Sequence, residues 1–307
     1  MGSVSRLGPR RAGLTVGGAV AAFLDTLEDP GTRRNYAGTL RAWAARFGSD
    51  APLVTLEDPD VAVAVAAWFT ERWGEAAPAT FNRNLDTLRS AVRSWMEQDW
   101  LAADPTSGLR RRRRAVDRTR ALSRAEIDEL LARGDVALRE KTLWRMLYET
   151  AARANEVLSL DVGDLDLRNR KAKVRRKGGA VDVIVWQTAT ARLLPRLLGG
   201  RRAGPVFLTE RRARVPLPPA DLDPGSGRAR LSYRRAAECF EAATGGWTLH
   251  QLRHSALTHA AEAGANTSTL LAYSGHTSVA SLARYARVSP EALARWQQAR
   301  DPARRRR

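Results

Sequence analysis

Apolar residues recur at steps of three and four along the first hundred residues, the spacing that places side chains on one face of a helix. The pattern predicts helices over residues 15–24, 32–47 and 61–73, and a fourth that begins near Phe81 and reaches Trp95. The two clearest stripes are Tyr36, Leu40, Trp43 and Phe47, and Phe81, Leu85, Leu88, Val92 and Trp95. The first part of the chain is therefore predicted to form a compact bundle of four or five helices.

Helical spacing returns after residue 120, with one strand pattern inside it. Ser123 and Glu126 have the spacing of a capping box at a helix start. Further helices are predicted near residues 141–150, 188–198 and 231–243, whereas residues 199–230 are loop-rich. Residues 171–186 alternate on both sides of a Gly-Gly turn, which predicts a hairpin. The predicted fold class is mainly α, with a small antiparallel β-hairpin or sheet in the second half.

A basic segment separates the two halves. Residues 110–120 contain seven arginines and one aspartate, a composition that we expect to stay out of a hydrophobic core. The predicted organisation is a helical domain at 1–108, a basic linker at 109–120 and a second domain at 121–307. Composition alone does not separate a linker that lies against a polyanion from one that is merely solvated or from a nuclear-import type tract.

The charge of the chain points to a polyanionic partner. The net charge is +18, which favours nucleic acid; a membrane surface also fits the charge, but no apolar run approaches the roughly 20 residues of a spanning helix. The single Cys239 excludes an intramolecular disulfide and fits a reducing compartment. The candidate phosphate contacts are Arg83, Arg89 and Arg93 on the second stripe's helix and Arg110, Arg111, Arg112, Arg113 and Arg114 in the linker, although each also fits a solvated face.

All four histidines lie between His250 and His276. His250 and Arg253 are three residues apart on a predicted helix, so they share a face. His250 and His254 have the spacing of a zinc-protease helix, but Gln251 stands where the catalytic glutamate belongs and a guanidinium lies between the two ligands. The composition of this segment favours an anion, with phosphate as the obvious candidate.

Cleavage of a phosphodiester sets chemical requirements that this chain meets. Charge builds on the non-bridging oxygens, which two guanidiniums stabilise well; the leaving alkoxide needs a proton donor; and a tyrosine nucleophile needs a basic neighbourhood to lose its proton. The candidate catalytic residues are Arg153, Lys177, His250, Arg253, His276 and Tyr285.

At these positions the chain resembles the tyrosine recombinases, or phage-type integrases. The motifs are an arginine before Glu-x-Leu-x-Leu spacing (Arg153), a lysine on a Lys-Gly-Gly hairpin (Lys177), His-x-Leu-Arg-His (residues 250–254), Gly-His (residues 275–276) and a tyrosine nine residues later (Tyr285). Their order and spacing together are far more specific than any one of them. The resemblance covers residues 120–290, and the N-terminal half resembles the family's helical, SAM-like core-binding domain.

The resemblance implies a site-specific recombinase that closes around double-stranded DNA, without cofactor, metal or nucleotide. Arg153 and Arg253 would bind the scissile phosphate, Lys177 would protonate the 5′-oxygen, and Tyr285 would form a 3′-phosphotyrosyl bond. His250 would assist proton transfer, and His276 would bind the phosphate or position the site. A last helix beginning near residue 289 suggests docking on a neighbour in a DNA-bound homotetramer. The expected location is the cytoplasm, at the nucleoid, with no membrane contact.

Two departures from the family pattern and three alternatives remain. The usual Thr-Gly-Leu before the first arginine is here Thr150-Ala151-Ala152, and the usual Leu-Leu-Gly-His is Tyr273-Ser274-Gly275-His276. Tyr273 is the main rival of Tyr285 as nucleophile. A type IB topoisomerase would share the chemistry, and a DNA-binding protein without catalysis would share the charge. The sequence does not specify the DNA target, nor choose between chromosome-dimer resolution and movement of a phage, plasmid or transposon.

Overall fold

The chain divides into two compact units. The computed structural model describes residues 13–113, 120–176, 179–276, 278–282, 285, 293–294 and 296–298. The N-terminal unit is Met1–Asp117 and the C-terminal unit is Arg118–Arg307. The division falls inside the segment predicted as a linker, and each unit folds around apolar side chains of its own.

Helices build the N-terminal unit. They are α1 (Val16–Asp25), α2 (Pro30–Phe47), α3 (Pro59–Trp73) and α4 (Pro78–Glu97), with a 3-10 helix at Leu53–Glu57. A proline begins each of α2, α3 and α4, where its fixed φ suits the helix and its missing N–H leaves no bond unmade. Thr15, Asp29 and Asp58 accept hydrogen bonds from backbone N–H groups at the starts of α1, α2 and α3. Local sequence therefore determines where these helices begin.

The predicted stripe on α4 forms the centre of this unit's core and is confirmed. Its members are at most 4% exposed: Phe81, Leu85, Leu88, Val92 and Trp95. Trp95 stacks on Trp43 with 5.5 Å between ring centroids, and its indole N–H donates to the carbonyl of Ala19 at 3.1 Å. This bond lets a large aromatic ring bury its one polar atom without cost.

The beginning of the basic segment packs against α4. Leu109 is 5% exposed in the N-terminal core. The Asn82 side chain pairs with the main chain of Arg112 at 2.7 and 2.8 Å, and Arg89 donates to the carbonyl of Leu109 at 2.6 Å. Leu109, the first residue of the predicted linker, therefore lies in the N-terminal core, whereas the four arginines after it, residues 110–113, are not buried. Helix α4 satisfies the polar backbone beside Leu109.

The C-terminal unit is mostly helical and is centred on α6. Its helices are α5 (Arg124–Ala132), α6 (Leu138–Thr150), α7 (Ala154–Leu158), α8 (Thr188–Leu198), α9 (Tyr233–Thr244), α10 (Leu249–Glu262) and α11 (Thr267–Ser274). The capping box of Ser123 and Glu126 is formed at the start of α5, as predicted. Helix α6 packs against both α8 and α10, so its predicted apolar face, with Leu143, Trp144 and Leu147, lies in the core.

An antiparallel sheet follows α7 in the chain. Its order is β1 (Leu165–Asp166), β2 (Lys171–Arg175) and β3 (Val181–Val185), and β2 and β3 are the arms of the predicted hairpin. Their register runs from Lys171 opposite Val185 to Arg175 opposite Val181. Ala172, Val174 and Ile184 are buried, whereas the alternating Val181, Val183 and Val185 lie on the exposed face.

The loop-rich stretch of residues 199–230 also contains a small sheet that the sequence pattern does not predict. Strands β4 (Leu208–Arg212) and β5 (Arg228–Arg230) pair antiparallel, with a 3-10 helix at Pro219–Asp221 between them. The sequence of β4, LTERR, is largely polar, so it lacks strand periodicity. Its pairing depends on tertiary contacts, among them the bonds of Arg230 to Asp161 and Asp221 at 2.8 and 2.9 Å.

The C-terminal segment is described only in part. The 3-10 helix Val279–Leu282 precedes Tyr285, and residues 293–294 and 296–298 are helical. The predicted cap of the last helix, residues 289–291, lies outside the described residues. Leu293 and Trp296 are 50% and 47% exposed. Among the described helices, none has the length and apolar content of a membrane span.

Candidate active site

Helix α10 carries Arg253 and three of the histidines. Thr248 and Gln251 form a capping box at its start, so the residue at the position of a zinc-protease base caps the helix instead. The first turn exposes His250, and the next turn buries Arg253 to 3% exposure. His250 and Arg253, predicted to share a helix face, therefore differ in exposure: the histidine is accessible and the guanidinium is buried.

Arg253 is held by main-chain carbonyls from two distant segments. Its guanidinium donates to Ala151 O and, at 2.8 Å, to Ser274 O. The same Nη2 lies 3.2 Å from Nε2 of His276. Because each carbonyl ends a different helix, Arg253 fixes the turn after α6 and the turn after α11 relative to α10.

The turn that supplies Ala151 O has an unusual backbone. Ala151 has φ +49°, in the left-handed region, where a side chain costs roughly 1 kcal/mol and glycine none. The family's usual glycine at this position is therefore explained by the backbone. Here alanine accepts the strained conformation and is fully buried beside Tyr285 in an apolar cluster.

Burial lowers the pKa of Arg253 to about 10, and repulsion from the nearby Arg153 contributes in the same direction. The guanidinium remains cationic near neutral pH. A buried positive charge whose hydrogen-bond acceptors are neutral carbonyls attracts an anion, since binding one offsets the solvation lost to burial.

Arg153 lies at the N-terminus of α7 and is oriented by Glu156. Its backbone N–H and its Nη1 donate to the two oxygens of that carboxylate at 2.9 and 2.7 Å. The Arg153 side chain is 41% exposed, whereas that of Glu156 is 5% exposed. Arg153 thus offers a supported but accessible guanidinium beside the buried one of Arg253.

His276 and Tyr285 complete the described part of the site. The two rings are stacked with 6.5 Å between centroids, and the ring of His254 lies 5.2 Å from that of Tyr285. Tyr285 is 4% exposed and packs on an apolar cluster that includes Leu257, Leu270 and Leu282. The Tyr285 ring therefore lies against two histidine rings and this apolar cluster. His254 is thus also in contact with the candidate nucleophile.

The other tyrosines near the site are held in structural hydrogen bonds. The Tyr273 hydroxyl donates to the carbonyls of Tyr148 and Glu149 at 3.1 and 3.0 Å, and burial raises its pKa strongly. The Tyr148 hydroxyl lies 2.8 Å from Nδ1 of His259. Burial raises the pKa of Tyr148 and lowers that of His259. These groups join α6, α10 and α11, and their environments disfavour the phenolate that a nucleophile needs.

Lys177 lies outside the described residues. The arms of its hairpin are in place, and the N–H of Arg176 donates to Ala180 O at 2.7 Å, which closes the base of the turn. Sequence reasoning did not single out Arg176, whose side chain is 8% exposed and bonded to Glu156. No periodicity or motif could have marked it, because its partners are distant in sequence.

The predicted DNA contacts fall into two groups. Arg83, Arg93, Arg110 and Arg113 are exposed in the N-terminal unit. Arg89, Arg111 and Arg112 instead hold the start of the basic segment: Arg89 through Leu109 O, Arg111 through Asp86 at 2.5 Å, and Arg112 over the Phe81 ring at 4.0 Å. Arg114 lies outside the described residues. In the part of the chain that the structure describes, no three His, Cys, Asp or Glu side chains gather as a metal site would require.

Comparison with known proteins identifies relatives along most of the chain. The sequence profile of the phage integrase family matches residues 120–292. Tyrosine recombinase XerC of Mycobacterium tuberculosis is 31% identical over 279 residues, covering 84% of this chain and 88% of that protein. Tyrosine recombinase XerD of Mycobacterium leprae is 33% identical over 201 residues, covering 62% of this chain and 61% of the relative.

Solved structures share the fold. The Tn1549 transposon integrase in complex with circular intermediate DNA has a TM-score of 0.65 at 16% identity and covers 92% of this chain and 99% of its own. The lambda integrase bound to DNA has a TM-score of 0.60 at 18% identity, covering 86% and 92%. A mainly helical fold with small antiparallel sheets and these relatives define the class as the tyrosine recombinases. The chain belongs to the phage integrase family.

Proposed function

We propose that this recombinase cuts and rejoins double-stranded DNA at specific sites, with Arg153 and Arg253 as a phosphate clamp and Tyr285 as the nucleophile. The observation that carries this assignment is the anchored guanidinium of Arg253, which lies 3.2 Å from His276, whose ring in turn stacks on Tyr285. A cation held by two carbonyls and placed beside a tyrosine is suited to stabilise charge that develops on a phosphate under attack.

The proposed cleavage step is a transfer of phosphate from one oxygen to another. The Tyr285 hydroxyl loses its proton, with His250 assisting, and its oxygen attacks phosphorus. The bond from phosphorus to the 5′-oxygen breaks, its electron pair leaves with that oxygen, and Lys177 supplies the proton. A 5′-hydroxyl of the partner strand later reverses these changes. Each step exchanges one phosphoester for another, so rejoining requires no ATP, and the residues assigned here perform it without a metal.

Two of these roles rest on placement along the chain. His250 is exposed one turn before Arg253 on α10, which keeps it accessible to DNA on the side of the clamp. Lys177 follows Arg176, whose side chain bonds to Glu156 at 2.9 Å. The carboxylate of Glu156 in turn orients Arg153. The lysine is therefore assigned to the same site through its neighbour.

DNA is proposed to lie against exposed arginines of the N-terminal unit. Arg83 and Arg93 belong to α4, and Arg110 and Arg113 to the basic segment. Their charges, within a chain of net charge +18, favour binding by counterion release. We further propose that strand exchange takes place in a homotetramer on two DNA sites, and that the protein works at the nucleoid in the cytoplasm. The solved relatives named for their DNA complexes support DNA as the partner.

The test begins by sequencing the DNA that the Tyr285→Phe protein binds in its source cell. A nicked suicide duplex that carries a mapped site loses a short fragment after cleavage, so the covalent adduct accumulates. The wild type and the Tyr273→Phe control are expected to form this adduct, and Tyr285→Phe is not. An adduct with Tyr285→Phe would overturn the nucleophile assignment. No adduct with the wild type on any mapped site would favour a protein that only binds DNA.

A further inference from the structure

We propose that Arg176 is a positioning residue for strand cleavage, a buried guanidinium that holds the hairpin of Lys177 against the phosphate clamp. The inference rests on the proposed function, because it concerns how the same site is assembled. Arg176 immediately precedes the proposed proton donor. Its side chain bonds to α7, which follows Arg153, to the end of α11, which precedes His276, and to β3 of its own hairpin.

Arg176 contacts an acceptor on each of these segments. Its Nη1 donates to Glu156 of α7 at 2.9 Å and to Ser274 O at the end of α11 at 3.3 Å. Its Nε donates to Asp182 of β3 at 3.0 Å. The side chain is 8% exposed. The Arg176 guanidinium is buried, and its N–H groups donate to acceptors within the protein. It therefore acts through other residues rather than by contacting DNA.

The contact with Glu156 connects Arg176 to the first arginine of the clamp. Arg153 uses both oxygens of that carboxylate, and Arg176 shares Oε2 with the Arg153 backbone N–H. Glu156 is a buried carboxylate that the two guanidiniums neutralise together. Loss of Arg176 would leave its negative charge undercompensated and would weaken the orientation of Arg153.

The contact with Ser274 connects Arg176 to the second arginine and to His276. The Ser274 carbonyl accepts from Arg253 at 2.8 Å as well as from Arg176. Between Ser274 and His276 stands Gly275, with φ +60°. A Cβ built there would lie 2.0 Å from Cζ of Arg176. A side chain at Gly275 would therefore be strained by the backbone conformation and would displace the guanidinium packed against it.

The remaining contacts fix the hairpin. The Arg176 N–H donates to Ala180 O at 2.7 Å, and its side chain reaches across to Asp182 on the returning strand. Arg176 is therefore fixed through both its backbone and its side chain, and the proposed proton donor is the next residue in sequence. Proton delivery to a leaving oxygen tolerates little error, because a displacement of about 1 Å can cost about 100-fold in rate.

The experiment measures single-turnover cleavage at saturating DNA, on the suicide duplex, for Arg176→Gln and Arg176→Lys. Both are expected to cleave about 10-fold to 100-fold more slowly than the wild type, because an ammonium cannot reproduce three bonds in a planar fork. DNA affinity is expected to stay within about twofold, since the side chain does not face DNA. The matched control is Arg175→Gln, an exposed arginine on the opposite face of β2, which is expected to cleave at the wild-type rate.

A second substrate separates positioning from general damage. Replacing the bridging 5′-oxygen by sulfur gives a leaving thiolate that departs without a proton, so Lys177 is no longer needed. If Arg176 positions Lys177, the deficit of Arg176→Gln shrinks at least about tenfold on the sulfur substrate. The same deficit on both substrates, or a wild-type rate on the oxygen substrate, would overturn the proposal.

Asp182→Asn provides a second test of the proposal in case the Arg176 variants misfold. The Asp182 side chain is 43% exposed, so the substitution keeps the core intact while weakening one bond of the guanidinium. Asp182→Asn is expected to slow cleavage of the oxygen substrate less than Arg176→Gln does, and the sulfur substrate is expected to reduce this loss of rate as well. If Asp182→Asn cleaves the oxygen substrate at the wild-type rate, the proposed link between Arg176 and the hairpin is wrong. If the wild type forms no adduct with either substrate, the proposed function fails. If the wild type cleaves and Arg176→Gln cleaves equally fast, only the positioning role fails.

Discussion

Arg112 in the N-terminal unit and Arg253 in the C-terminal unit are arginines that donate to main-chain carbonyls inside the protein. Arg112 reaches the carbonyls of Gly74 and Ala76 and lies over the Phe81 ring. Arg253 has the same kind of anchor, but its other neighbours are His276 and the charge of Arg153. In a chain with 51 lysines and arginines, positive charge does not identify a functional residue. A functional arginine is identified instead by the groups that surround its guanidinium besides the carbonyls that anchor it.

The contrast between Arg112 and Arg253 also bears on which of the chain's many arginines can be assigned to DNA binding. Some of the arginines predicted as DNA contacts also bind protein, since Arg89 and Arg111 hold the start of the basic segment to α4. Net charge remains a sound argument for a polyanionic partner. The contact residues have to be chosen by exposure, which favours Arg93 and Arg113 over Arg89 and Arg112.

The largest expected effect is on catalysis by Arg253→Ala. Removing a guanidinium that stabilises developing charge is expected to slow single-turnover cleavage by about 100-fold to 1000-fold. Arg253→Lys is expected to recover only part of this loss, because an ammonium cannot hold two carbonyls and a phosphate together. The measurement is adduct formation at saturating DNA, with thermal unfolding as the check on folding. A rate within about threefold of the wild type would place Arg253 with Arg112 as a structural arginine.

Arg112→Ala is expected to have the opposite signature. Loss of the cation–π contact and the bonds to carbonyls should lower the free energy of unfolding by about 1 to 3 kcal/mol, whereas cleavage at saturating DNA should change little. The matched control is the exposed Arg113→Ala, expected to shift stability by less than about 0.5 kcal/mol. It should reduce the slope of log affinity against log salt by about one. Urea unfolding and salt titrations measure these effects. If Arg112→Ala instead reduces the salt slope and leaves stability unchanged, its assignment as structural is wrong.

A third expected difference lies in the titration of Arg253. Since burial lowers its pKa to about 10, its guanidinium is charged at neutral pH and loses the proton as pH rises through that value. The 13C resonance of its Cζ is expected to titrate there. Arg153→Ala should move the midpoint upward, because repulsion by Arg153 lowers the pKa. A resonance that stays constant up to about pH 11 would contradict the effect of burial.

The smallest expected effect concerns the carbonyl that anchors Arg253. Ala151→Gly relieves the left-handed backbone, worth about 1 kcal/mol, but removes a buried methyl group worth about 0.8 kcal/mol. The two contributions nearly cancel, so we expect the free energy of unfolding to change by less than about 1 kcal/mol and cleavage to stay close to the wild type. The matched change Ala152→Gly, at a buried position without positive φ, should only destabilise. Equal losses in both variants would show that Ala151 is not strained.

The local elements followed from short-range sequence patterns. Helix α4 needed only its apolar spacing, and the start of α5 only the capping box of Ser123, because such signals act within one or two turns. The hairpin of β2 and β3 was likewise visible in residues 171–186. Strand β4 was not, because a polar strand is stabilised by its partner and by Arg230 rather than by its own periodicity.

The sequence by itself determined the candidate residues of the site, through motifs whose order and spacing resemble a family, and the chain's preference for a polyanion through its charge. Only the tertiary structure decided which cations are buried, which are exposed and what each one faces. Arg176 shows why. Its acceptors lie 20 residues before it in Glu156, 6 after it in Asp182 and 98 after it in Ser274, and contacts across such separations exist only once the core has packed and brought the ends of α7, β3 and α11 together.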